Sequence, residues 1–98
     1  MDIYSKIYYK LCQKRKQLIN EWVPGSNLHR HHIIPKHSGG TDNLENYTYL
    51  TIREHIIAHF LLWKMHKNIN DLRAMKMLPE KLDEYISKGY RLGFTLFS

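Results

Sequence analysis

The sequence predicts an α+β fold in which a long-looped antiparallel hairpin runs directly into a helix, with further helices on either side. Three observations carry that prediction. Residues 28–34 and 47–50 are extended in character and are separated by a loop containing Gly39-Gly40. Thr51-Ile52-Arg53-Glu54 has the form of a capping box opening a helix, and residues 2–20 repeat apolar side chains at helical spacing. A chain of 98 residues makes one domain whose core is only just adequate, so a bound metal ion would help to stabilise it.

In chain order, Ile3, Tyr4, Ile7, Tyr8, Leu11 and Cys12 mark one face of a helix over 2–20, with Leu18 and Ile19 following. Lys6, Lys10 and Lys14 recur every fourth residue on that helix. About 18 residues of helix would run roughly 27 Å. The stripe therefore fits either a surface that tracks phosphates or the wet back of a packing helix. Pro24-Gly25-Ser26-Asn27 is a loop, with Trp22 and Val23 packed just before it. Leu28 to Ile34 is the first strand, ended by Pro35, which has no N–H for a ladder. Tyr47-Thr48-Tyr49-Leu50 is the return strand. The helix that follows runs to about His66, with Ile52, Ile56, Phe60 and Trp63 as its buried stripe. Asn68 or Asn70 caps a short helix carrying Leu72 and Met75. Pro79 starts another, with Leu82, Tyr85 and Ile86 inward and Gly89 near its end. Residues 91–98 are apolar and carry no clear pattern.

Composition limits the function. No apolar run approaches the roughly 20 residues needed to cross a bilayer, and the N-terminus has no basic-then-apolar leader, so the expectation is an intracellular protein with no membrane partner. Cys12 is the only cysteine, which excludes an internal disulfide and a cysteine-rich zinc staple; it reads as core filler on the first helix. The net charge of +6 sits at the ends. Lys6, Lys10, Lys14, Arg15 and Lys16 against Asp2 give +4 in residues 1–20, whereas Arg30, Lys36 and Arg53 against Glu21, Asp42, Glu45 and Glu54 give −1 in residues 21–60. A polyanion gripped by the flanks would lie across the middle. A solvated surface would look the same.

The middle holds the chemistry. His31 and His32 lie on the first strand, and His55 and His59, four apart, project from one face of the helix. Three imidazoles, one on a strand and two on a helix, suit a divalent ion with open coordination positions, and open positions mean chemistry. Neighbours on a regular strand point to opposite faces. His31 and His32 therefore reach one site only if the strand twists, bulges or ends there, or if they do different jobs on different sides of the scissile group.

The run His31-His32-Ile33-Ile34-Pro35, then Gly39-Gly40, Asn43-Leu44-Glu45-Asn46 and Glu54-His55-Ile56-Ile57-Ala58-His59 resembles the HNH endonuclease family of phage and mobile-element type. The three histidines are also similar to the metal site of the colicin DNases. The resemblance implies a ββα-metal core over 28–66 of a single domain 1–98, flanked by basic helices at 2–20 and 69–89. It implies His32 as the general base, Asn46 as the central asparagine that orients it, and His31, His55 and His59 as ligands of one divalent ion, Mg²⁺, Mn²⁺ or Zn²⁺. The substrate it implies is DNA, with Lys6, Lys10, Lys14, Arg30, Lys36 and Arg53 as candidate phosphate contacts. Many relatives have Glu two residues before the His pair, where this chain has His29. Two other classes fit the same residues: a DNA-binding module whose metal only stabilises the fold, and an assembly protein with a vestigial motif. So small a unit has little surface for reading bases, so strong sequence preference would need a homodimer or another partner.

Overall fold

The computed structural model describes residues 2–87, with side chains described through residue 79. Helix α1 (Ile3–Arg15) leads through a 3-10 turn to strand β1 (Leu28–His32), which pairs antiparallel with β2 (Tyr47–Thr51); helices α2 (Ile52–His66) and α3 (Ile69–Ser87) follow. The hairpin-then-helix core and its flanking helices are the α+β architecture that the sequence predicts.

Local chemistry sets most boundaries. Asp2 caps α1 by accepting from the Ser5 N–H at 2.8 Å. Thr51 accepts from the Glu54 N–H and Glu54 accepts from the Thr51 N–H at 3.0 Å, so α2 begins on a complete capping box. It ends at Lys67, which takes the left-handed conformation that commonly stops a helix. Between the strands, Gly40 packs so tightly that a Cβ there would lie 1.7 Å from the Ile34 carbonyl oxygen. Only glycine fits.

The core lies where α1 and α2 close over the sheet. Tyr8, Leu11 and Cys12 from α1 meet Leu50 from β2, Ile33, and Ala58, Leu61 and Leu62 from α2. Cys12 is buried core, and burial pushes its thiol up to about 12. The Thr48 hydroxyl donates to the Cys12 carbonyl at 2.8 Å, fastening β2 to α1. Glu54 is buried and receives Arg15 at 2.6 Å, so the capping residue of α2 also pins the end of α1.

Several expectations are corrected. The first helix does not run to residue 20: past Arg15 it tightens into a 3-10 turn at Lys16–Asn20, where Lys16 donates to the Glu45 carbonyl and the turn packs on β2. The first strand ends at His32, because Ile33 and Ile34 turn their N–H groups to Asn46. Val23, in the loop before β1, is 59% exposed; Phe60 is 42% exposed, since the core face of α2 is rotated towards Ala58, Leu61 and Leu62. Pro79 does not start a new helix. It sits inside α3, whose preceding residue Leu78 is buried against Ile52 and Ile56, and this docking carries the helix past the missing N–H. The expectations for Leu82, Tyr85, Ile86, Gly89 and residues 91–98 fall outside what is described.

Candidate metal centre and its base

Alternation along β1 sorts its histidines. His31 is buried beneath the helices, while His32 is partly exposed and leans on the Tyr47 ring. Because the strand ends at His32, both border one cavity of about 340 Å³, at whose floor α2 places His55 and His59 a turn apart. His31, His55 and His59 each turn one ring nitrogen inward, and the three lie within 4.8 Å of one another. Nothing else among the described residues forms such a group.

The other nitrogen of each ring is held from a different element. Burial keeps the Tyr8 phenol far above its ordinary pKa, so it retains its one proton, which it donates to the Ile33 carbonyl at 2.5 Å. Tyr8 must then accept from His31 Nε2 at 2.8 Å, which puts the His31 lone pair on Nδ1. Burial also depresses His31 to about 3, so the ring is neutral. His59 Nδ1–H donates to Asp71 Oδ1 at 2.8 Å, and His55 Nδ1 meets His29 Nδ1 at 2.8 Å. Ligand histidines are commonly braced through their second nitrogen in this way.

The donor set fits a metal. His55 Nε2 and His59 Nε2 are 3.1 Å apart, within the range of about 2.9–3.4 Å expected for two nitrogens each about 2.0–2.1 Å from a shared ion. Three imidazole nitrogens are a donor set that divalent ions take in proteins.

His32 is arranged differently. Its Nε2–H donates to Asp42 Oδ1 at 2.9 Å, leaving Nδ1 as the basic nitrogen. Asp42 also accepts from Lys36 Nζ at 2.9 Å and the Tyr47 hydroxyl at 3.2 Å, and these donors, His32 foremost, hold its carboxyl well below the ordinary range. Asn46 is buried and its side chain hydrogen-bonds elsewhere than the His32 ring. Its Oδ1 accepts from the Ile34 N–H at 2.9 Å, and its Nδ2 donates to the Ile34 and Thr41 carbonyls at 3.0 and 2.8 Å. It clamps the loop to the strand end.

Of the candidate phosphate contacts, Arg30 and Lys36 border the cavity, with the Arg30 guanidinium stacked between Trp22 and Tyr47. Arg53, Lys6, Lys10 and Lys14 are exposed, and none of them borders it. His37 and His66 are also exposed. Nothing in the local sequence singles out Tyr8, Asp42 or Asp71, which act across 23, 10 and 12 residues of chain.

A two-stranded hairpin and a helix around a three-histidine centre define a ββα-metal domain. Residues 11–51 match the HNH endonuclease family model. It is 42% identical over 66 residues to Probable mobile endonuclease D of Enterobacteria phage T4, covering 66% of this chain and 26% of that protein. It is 40% identical over 65 residues to Probable mobile endonuclease E of the same phage, covering 64% of this chain and 43% of that protein. An uncharacterized 38.5 kDa protein in psbA intron 1 of Chlamydomonas moewusii is 37% identical over 78 residues, covering 76% of this chain and 22% of that protein. The chain thus spans less than half of each of these relatives. No solved structure matches it. Among the described residues, no helix is long and apolar enough to cross a membrane.

Proposed function

We propose that this chain is the catalytic domain of a metal-dependent endonuclease that hydrolyses phosphodiester bonds in DNA. The observation that carries the reading is one cavity holding both a three-histidine donor set and a separately oriented imidazole, His32, backed by Asp42. A purely structural metal site has no use for that second arrangement. The relatives named mobile endonucleases support the same reading.

His32 Nδ1 takes the proton from the attacking water, and Asp42 holds the ring in the tautomer that leaves Nδ1 basic. Asn46 acts indirectly, by fixing the loop and strand end that carry Asp42 and His32. His31, His55 and His59 would hold a divalent ion, which would supply positive charge to stabilise the phosphate and the leaving oxygen. Arg30 and Lys36, at the cavity rim, position the phosphate.

The test is a supercoiled plasmid incubated with the protein and Zn²⁺, Mn²⁺ or Mg²⁺, with and without chelator. Cleavage should require an ion, and His32→Ala should lower it by about 10²–10⁴ while leaving Zn²⁺ and DNA binding nearly intact. An intact plasmid under every condition, with DNA still bound, would make the domain a non-cleaving binding module.

A further inference from the structure

Asp71 stands out from the rest of the site. It lies in the first turn of α3, which is not part of the hairpin–helix core that carries the three histidines. A carboxylate in a first helical turn is favoured by the helix dipole and ordinarily sits in water. Asp71 is instead 1% exposed. One oxygen accepts from His59, and the other is the one buried side-chain oxygen or nitrogen among the described residues with no hydrogen-bond partner. Burying an unpartnered carboxylate oxygen is unfavourable, a cost that a residue serving only to start a helix would not need to incur. Asp71 is also the only carboxylate among the described residues bordering the cavity. The three imidazoles bring no charge to offset a divalent ion, so a carboxylate one residue behind them is where compensation would be expected.

We infer that Asp71 is a positioning residue of the metal centre: Oδ1 locks His59 in the tautomer that aims Nε2 inward, and its buried charge strengthens the hold of the three histidines on a divalent cation. The inference rests on the proposed metal centre and extends it to α3. Docking of α3 thereby becomes part of metal affinity, and the complete site needs more of the chain than its hairpin and α2.

The experiment is titration of the full chain with Zn²⁺ by calorimetry, together with thermal melts in chelator and in Zn²⁺, for wild type, Asp71→Asn, His59→Ala and the double variant. Asparagine keeps an oxygen for His59 and removes the charge. Asp71→Asn should lower Zn²⁺ affinity by about 10–100-fold while its melting temperature in chelator stays level or rises. In the His59→Ala background it should add little further loss, because Asp71 acts through His59. Wild type that fails to bind Zn²⁺ would end the metal centre itself. Wild type that binds, with Asp71→Asn binding equally well or melting lower in chelator alone, would overturn only this inference and leave Asp71 as a helix-start residue.

Discussion

The tautomer of His31 can be tested with one oxygen atom. Tyr8→Phe keeps the buried ring and its packing but deletes the hydroxyl that accepts from His31 Nε2 and donates to the Ile33 carbonyl. Tyr8 is fully buried and His31 nearly so, so no water replaces the lost partner. Each orphaned group costs about 1–3 kcal/mol, and two of them together about 3 kcal/mol. For a domain of this size that is a fall in melting temperature of about 12–24 °C. A second effect separates bracing from packing. Without its acceptor the His31 proton is free to move to Nδ1, so Zn²⁺ affinity should fall by about tenfold or more. Urea unfolding in chelator measures the first effect, and calorimetric titration with Zn²⁺ the second. A stability loss below about 1 kcal/mol would refute the hydrogen-bond assignment. A full stability loss with unchanged Zn²⁺ affinity would show that Tyr8 braces the strand end and leaves the His31 tautomer alone.

Two other outcomes follow from loop packing and surface charge. Gly40→Ala would force a Cβ against the Ile34 carbonyl and crowd the Asn46 amide at 3.0 Å, so the loop carrying Asp42 should shift; cleavage should fall more than thermal stability, and wild-type cleavage would show that the loop gives way freely. Replacing Lys6, Lys10 and Lys14 together with Gln should flatten the log–log salt dependence of DNA binding by about two to three units if those exposed side chains lie on phosphates. An unchanged slope in a salt series would leave α1 as a packing helix only.

Residues read in chain order reveal what short-range chemistry encodes. β-favouring residues, helical spacing, the Thr51–Glu54 box and the four-residue spacing of His55 and His59 operate within a turn or two of chain, so the order of hairpin and helix and the start of α2 were legible from residues alone. The approach of His31, His55 and His59 followed from that order, because a helix that continues directly from the return strand folds back over the first. Tertiary structure decided the rest. Which face of α2 is buried depends on where α1 closes, so Phe60 fits an apolar stripe yet stays exposed. Pro79 breaks a helix by local rules, but Leu78 is held against Ile52 and Ile56, and α3 continues. Tyr8, Asp42, Asn46 and Asp71 acquire their roles from hydrogen bonds to other segments of the chain. Spacing cannot encode those partners, because a hydrogen bond is decided by a few tenths of an ångström that only the packed core supplies.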